Sequence, residues 1–347
     1  MGHKIEFKLL TRDAFREGVF ERDGHKCVVC GAPAKDAHHI IERKCWDDGG
    51  YYMENGASVC ESCHLKCEMT LISPEELREL CGIKHICVPD QLYPDHIYDK
   101  WGNNILANGQ RTIGPLFWDE SVQKILRAGG VMDLFTHYVK YPRTHHLPWS
   151  PGIHDDDRVI HSMEGFKGKR VIVTEKMDGE NTTLYSDHFH ARSVDGRSHP
   201  SQDRAKAMHA LFAHDIPYRW RVNCENVYAK HSIAYDDLPA YLLGFAVWNE
   251  WNRCLSWDET LEWFELLGIE PVKVLYDGLY DEAAIKALYD EKEDWEESEG
   301  LVMRIAEGFD FADFHKYVAK YVRSRHVQTN KHWKFGQRIE PNKLAEK

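Results

Sequence analysis

The sequence predicts a chain of mixed helix and strand in more than one domain, the first of them held together by metal. Three observations carry this. The chain is 347 residues long, a length that suits two domains or one large domain with an appendage. Eight of its ten cysteines (27, 30, 45, 60, 63, 67, 81 and 87) fall in the first 87 residues. Further on, strand-like runs such as Val171-Ile172-Val173-Thr174-Glu175 alternate with helix-start signals such as Ser256-Trp257-Asp258-Glu259.

Composition narrows the class. With 44 Lys+Arg against 56 Asp+Glu the net charge is −12, which excludes a uniformly basic nucleic-acid coat. Hydrophobic residues at 43% and aromatics at 12% supply real cores and exclude general disorder. No run approaches the roughly 18 apolar residues of a membrane span. The N-terminal stretch has no signal-peptide core, and Gly2 lacks the Ser or Thr of a myristoylation signal. A cytoplasmic chain with no membrane contact is expected.

In a chain expected to keep its thiols reduced, clustered cysteines point to metal. Cys27-Val-Val-Cys30 and Cys60-Glu-Ser-Cys63 are separated by 29 residues. Four thiolates at that spacing suit a closed tetrahedral structural Zn²⁺ site with Zn–S distances of ~2.3 Å. Cys45, Cys67, Cys81 and Cys87 are expected to be buried small hydrophobes.

The residues around the knuckles carry chemistry. Ala37-His38-His39-Ile40 follows the first, Asn55 precedes the second, and His64 directly follows Cys63. From Phe7 to Leu80 the sequence resembles the HNH endonucleases. That resemblance implies a ββα-metal fold with His39 as general base, Asn55 orienting it, and His38 with His64 holding one divalent ion against the scissile phosphate. The other reading is a folding staple in which these histidines are spare ligands or helix-end residues. Gly2–Ile72 carries ten Lys+Arg and twelve Asp+Glu, so the module is no obvious nucleic-acid binder by charge. It closes with a helix announced by Ser73-Pro74-Glu75-Glu76, a capping box, with Leu77 and Leu80 on one face and Gly82 as the stop.

The module is expected over residues 1–84 and a connecting region over 85–139. In the latter, Ser121–Leu126 and Val131–Val139 are amphipathic. Trp101, Phe117 and Trp118 are the expected packing residues, and no chemistry is assigned.

Residues 140–347 form the expected second domain. The run Val171–Glu175 leads into Lys176-Met177-Asp178-Gly179-Glu180-Asn181, where Lys-x-Asp-Gly alone could be a hairpin tip. It is followed in order by Arg192-Ser193, Glu225-Asn226-Val227-Tyr228, Leu243–Val247, Glu299–Arg304 and Lys320-Tyr321-Val322-Arg323. Together these resemble the motifs of the covalent nucleotidyltransferases. Lys140–Leu147 and His326–Trp333 narrow the resemblance to ATP-dependent nick-sealing RNA ligases of the phage RNA ligase 2 type, over Lys140–Lys334.

The resemblance implies an α+β domain of antiparallel sheets with flanking helices and the nucleotide between them. Lys176 would take AMP from ATP and pass it to a 5′-phosphate for joining to a 3′-hydroxyl. Glu299 would lie nearest a Mg²⁺ or Mn²⁺ ion, and Asn181 would hold a metal-bound water or cap the turn. Glu175 would read the purine's six-position, a carboxylate accepting from adenine's amine and repelling guanine's carbonyl. Phe245 would stack on the base, with Trp248 as substitute and a plain core role as the alternative. Glu225 would take a ribose hydroxyl and Arg192 a phosphate. Lys320 and Arg323 would meet the nucleotide phosphates, with a second register starting at Lys316 still open. Glu175, Asp178 and Glu180 would favour the charged form of Lys176, so adenylylation is expected to depend steeply on metal.

Two further stretches complete the reading. Ser256–Glu259 opens a helix with Leu261, Phe264 and Leu267 as its buried stripe and Gly268 as its stop. His315–Arg338 holds seven Lys+Arg and no acid, the expected place for nucleic acid. The partner is RNA ends or a nicked duplex, and the oligomeric state stays open. Three functions stand: an RNA ligase with an active nuclease, an RNA ligase whose zinc module only binds nucleic acid, and a binding protein with both sites decayed; a DNA or mixed-strand ligase is the alternative for the joining activity.

Overall fold

The computed structural model describes residues 7–153, 157–192, 194, 199–290, 298–324 and 339–345. The chain divides into two compact units, Met1–Val139 and Lys140–Lys347.

In the first unit, α1 (Arg12–Arg22) starts at Thr11, whose hydroxyl accepts from the Ala14 N–H, and buries Phe15 and Val19. Strands β1 (Asp36–His39) and β2 (Gly56–Val59) pair antiparallel, and α2 (Glu61–Glu68) follows directly. Next comes α3 (Pro74–Leu80), where the Ser73 hydroxyl accepts from the Glu76 N–H at 3.1 Å. Leu77 is buried, but Leu80, expected beside it, is 46% exposed because it ends the last turn of this short helix. Cys45, Cys67 and Cys87 are buried, and Cys81 is half-buried.

Residues 85–139 contribute directly to the core of this unit. Val88, Leu92 and Tyr98 bury against Ile41 and Cys45. Trp101, Phe117, Val122, Leu126 and Val131 form a second cluster, built on α4 (Glu120–Ala128). Trp118, expected among the packing residues, is 38% exposed. Within Val131–Val139, Met132–Leu134 forms a 3₁₀ turn and Phe135–Thr136 (β4) pairs parallel with Arg111–Thr112 (β3). The buried Asp99 carboxylate organises the segment by accepting from the Trp101 and Asn103 N–H groups and from Arg111.

The second unit is α+β. One sheet runs in the order β15 (Phe309–Asp310), β11 (Arg253–Cys254), β10 (Leu242–Trp248), β9 (Arg221–Asn226), β7 (Glu180–Leu184), β8 (Phe189–His190), with β12 (Glu270–Pro271) beside β10. The other runs β13 (Val274–Leu279), β6 (Arg170–Lys176), β14 (Gly300–Ile305), β16 (Val318–Val322), β5 (His145–His146). Pairing is antiparallel except for two short parallel contacts, β5 on β16 and β12 on β10. Helices α5 (Asp203–Phe212), α6 (Trp257–Leu267), α7 (Glu282–Asp290) and α8 (Phe314–Tyr317) complete the unit.

One core cluster joins the sheets: Val171, Val173, Leu301, Met303 and Ala319 meet Ala246, Trp248 and Cys254. A second, with Leu184, Val222, Cys224 and Val247, includes Ala205 of α5 and Phe264 and Leu267 of α6. Helix α6 has its full capping box and ends at Gly268 with φ 66°. Its buried stripe is Trp257, Thr260, Phe264 and Leu267. Leu261, expected in that stripe, is 36% exposed, because one residue beyond Thr260 turns about 100° towards solvent.

Candidate functional site

Hydrogen-bond register brings the lysine motif to its acids. Lys176 closes β6, and Gly300 opens β14 directly opposite. Glu299 therefore arrives beside the lysine, with the Lys176 Nζ donating to Glu299 Oε2 at 2.5 Å. Gly300 is required here. Its φ is +153°, and a Cβ would lie 2.0 Å from the Tyr321 carbonyl oxygen of β16.

Glu225, on β9, stands opposite Asn181 of β7, and opposed residues in a ladder share a face. Gly179 lets this strand approach, since a Cβ there would meet Asn226 O at 2.7 Å and Glu225 Cγ at 2.9 Å. Burial pushes the Glu225 carboxyl up to about 8, with Glu299 and Asp178 adding to the rise and Lys176 opposing it. For Lys176, burial favours the neutral amine, but Glu299, Glu225 and Asp178 outweigh it and raise its pKa above the ordinary lysine value. Among the acids expected to do this, Asp178 contributes. Glu299 and Glu225, distant in sequence, contribute more.

Asp178 is a turn anchor. Its Oδ2 accepts the Ser232 and Ile233 N–H groups at 2.7 and 2.8 Å, and its own N–H donates to the Tyr235 hydroxyl at 2.9 Å. Asn181 Oδ1 is buried with no hydrogen-bond partner. Glu175 lies on β6 paired with Leu301, its N–H donating to Lys273 O. Phe245 sits where the β9–β10 register shifts, a bulge of the kind that re-aims a side chain. Its ring meets Tyr141 edge-on at 5.2 Å and borders the inter-sheet core. Trp248 is fully buried beneath the Arg221 guanidinium, which removes it as a stacking substitute.

Lys320 lies on β16, where burial lowers its pKa, Asp157 and Glu299 raise it, and Lys176 and Arg192 lower it. Its ammonium is 3.7 Å from Asp157 Oδ1. Lys316, the alternative, has an exposed side chain on α8 and pairs with the N-cap Asp313. The Arg323 Nε donates to Ser298 O, and the Arg323 N–H to Glu299 O, so this cation braces the glutamate's backbone. In the basic tract, Arg325, Lys331, Lys334, Arg338 and the His326–Trp333 stretch lie outside the described residues.

Sequence reasoning did not single out His146. It pairs with Lys320 in register, and its Nε2 is 3.2 Å from Asp157 Oδ2. Its Nδ1 bonds the Ser150 hydroxyl, which in turn accepts from the Val322 N–H. The one available signal was the His145-His146 pair inside the Lys140–Leu147 stretch.

In the first unit the sulfur atoms of Cys27, Cys30, Cys60 and Cys63 all lie within 4.8 Å of one another. That donor set fits a tetrahedral zinc ion. The Cys63 N–H at the start of α2 holds the Cys60 thiol down to about 6, and burial pushes Cys63 up to about 12.

Beside it, His38 of β1 and His64 and Glu68 of α2 place donor atoms within 4.8 Å. Both ring nitrogens of His38 are buried without hydrogen-bond partners, and His64 bridges Asp36 and Glu68 at 3.1 Å each. This set fits a divalent cation. Glu68 was missed, though its i+4 spacing from His64 on one helix was the signal. The ammonium of Lys100 also reaches Glu68 and Glu42, at 3.2 and 2.8 Å, and nothing local in the sequence announces it.

His39 stacks on Phe15 at 4.8 Å, its Nε2 is buried without a partner, and burial lowers its pKa to about 4. Asn55 does not bond His39. It ties Ile41 N–H and C=O and Gly50 O, locking the backbone two residues past the histidine. A groove of about 740 Å³, lined by Lys35, Cys60, Ser62, His64, Leu65 and Glu68, opens on this cluster.

Comparison with known proteins bears on the second unit. Residues 169–322 match the RNA ligase family. The match spans Lys176, Glu225, Glu299 and Lys320 and supports a ligase domain. No curated protein matches the chain. Among solved structures, a putative ATP-dependent DNA ligase from Aquifex aeolicus is 21% identical, with 54% of this chain and 50% of that one covered and a TM-score of 0.38. A Naegleria gruberi RNA ligase with PPi is 18% identical over 54% and 56% of the two chains, TM-score 0.35. An archaeal ATP-dependent RNA ligase is 15% identical over 75% and 64%, TM-score 0.41. The chain thus spans about half the length of the first two. Among the described residues no helix is long and apolar enough to cross a membrane.

Proposed function

We propose that the second unit is an ATP-dependent RNA ligase that carries AMP on Lys176. The observation that carries the reading is the meeting of Lys176 at the end of β6, Glu225 on β9 and Glu299 just before β14, inside the stretch that matches the RNA ligase family. The neutral Nζ attacks the α-phosphorus of ATP. A phosphorus–nitrogen bond forms, the bond to the β-phosphate oxygen breaks, and pyrophosphate leaves with the electron pair while the amine loses a proton. Glu299 and Asn181 would hold a divalent ion, for which the orphaned Asn181 oxygen and the paired acids are a suitable donor set. Such an ion supplies charge neutralisation on the phosphates. Glu299 keeps the amine charged until its carboxylate is otherwise engaged, which couples nucleophile release to substrate loading. Glu225 takes the ribose, Glu175 reads the base, and Lys320 with Arg192 meets phosphate. AMP then passes to a 5′-phosphate, and a 3′-hydroxyl displaces it.

α-Labelled ATP should mark the wild-type protein covalently and leave Lys176→Ala unmarked. An unmarked wild type, or a marked variant, sinks the reading. Nick sealing across RNA and DNA strand combinations separates an RNA ligase from a DNA or mixed-strand ligase.

For the first unit, the His38–His64–Glu68 cluster favours a metal-dependent nuclease, with His39 neutral at pH 7 and able to accept a proton from water. The competing reading is a zinc module that only grips nucleic acid. Cleavage of DNA or RNA lost in His39→Ala supports the nuclease, and no His39-dependent cleavage with Mg²⁺ or Mn²⁺ supports the gripping module.

A further inference from the structure

We infer that the segment Glu340–Ala345 is a strap that sets the position of the nucleophile loop, with Asn342 as its positioning residue. The inference rests on the ligase reading of Lys176.

Its first support is the strap's bonding. Asn342 is 4% exposed. Its Oδ1 accepts the Tyr235 N–H at 3.0 Å, its Nδ2 donates to Val227 O at 2.8 Å, and its own N–H donates to Tyr228 O at 2.8 Å. Around it, Lys230 N–H donates to Glu340 O, Lys343 N–H to Tyr235 O, Leu238 N–H to Lys343 O and Ala345 N–H to Leu238 O. The Tyr241 hydroxyl donates to Asn342 O. One short segment thereby closes the 227–238 loop from both sides.

The second support is what that loop holds. Ser232, Ile233 and Tyr235 make the hydrogen bonds to Asp178 described above, two residues beyond Lys176. Between the two, Met177 packs with Val227 and Leu238. The line therefore runs from Asn342 through Tyr235 to Asp178, and the Lys176 ammonium stands at its end against Glu299. Neither Asn342 nor Tyr235 needs to touch the nucleotide. Their effect falls on the angle and distance at which Nζ meets the α-phosphorus, and a misplacement of about 1 Å there costs on the order of 100-fold in rate.

The test separates this from simple loss of structure, because joining a strand already adenylylated at its 5′ end needs no attack by Lys176. Full-length wild type, Asn342→Ala, Tyr235→Phe and Lys343→Ala are compared for covalent labelling by ATP and for joining of a 5′-adenylylated RNA strand. Lys343 is on the strap, but its side chain is 74% exposed, so its variant is the control. The expected result is labelling slowed about 10- to 100-fold in Asn342→Ala and Tyr235→Phe, with the KM for ATP and the joining rate within about threefold of wild type. Labelling at the wild-type rate in both variants overturns the inference and leaves the ligase reading intact. Equal loss of labelling and joining also overturns it, by making the strap a general stabiliser. A wild type that does not label overturns the ligase reading, and the inference with it.

Discussion

The two units assemble their sites by opposite routes. In the first, Cys27 to Glu68 contains both metal-ligand clusters, and a hairpin followed by one helix brings them together. In the second, Lys176, Glu225, Glu299 and Lys320 sit on or at the ends of four strands in two sheets. A site built from local elements depends on whatever fixes a small fold, here the four-cysteine cluster whose donor set fits zinc. A site built from sheet register depends on the ladder and on what packs behind it. The two should therefore fail separately and under different insults.

The largest effect expected is on the first unit. Structural zinc contributes about 10–16 kcal/mol of apparent binding energy in small zinc domains. Chelation, or Cys60→Ser with Cys63→Ser, should unfold residues 7–139 and leave labelling of Lys176 by ATP intact. Zinc content, proteolysis and labelling measured together check this. A first unit that stays protease-resistant without zinc would break the contrast.

A smaller effect is expected on the second unit, and it depends on pH. Burial, with Lys320 nearby, lowers the His146 pKa to about 4. The unfolded chain takes up this proton near pH 6.5, before the folded chain does, so stability falls as pH drops from 6.5 towards 4. By pH 5 the cost is on the order of 2 kcal/mol. Thermal melting between pH 7.5 and 5 should show a slope that His146→Gln flattens, and a slope unchanged in the variant would refute it.

The smallest effect is local. Ser256→Ala removes the capping box of α6 and should cost about 1 kcal/mol, seen as a lowered melting temperature with the KM for ATP unchanged.

What was legible in the sequence follows the same division. The two Cys-x-x-Cys pairs, the Ser73 and Ser256 caps and the β6 run could be read because each is set by neighbours in the chain. Where a neighbour in space decides the outcome, the sequence pattern points elsewhere. Leu80 and Leu261 are apolar and helical, yet both are exposed: Leu80 ends the last turn of α3, and Leu261 lies off the stripe of α6 that meets the core. Trp248 resembled a base-stacking residue by position and is instead fully buried core. Residues 85–139 carried no motif, because their work is burial around Asp99 and the Trp101 cluster.

By itself, the sequence determined the inventory: four thiols at metal spacing, the histidines between them, and an ordered set of charged motifs ending in Lys320. These depend on residue type and short spacing, which the chain carries without folding. Only the tertiary structure decided which charges act on which. It chose Glu299 and Glu225 as the acids on Lys176, added Glu68 and Lys100 to the histidine cluster, and laid His146 and Asp157 beside Lys320. The physical reason is distance. Electrostatics and hydrogen bonds act over a few ångströms, and residues more than a hundred positions apart reach that range only when the strands are paired in register.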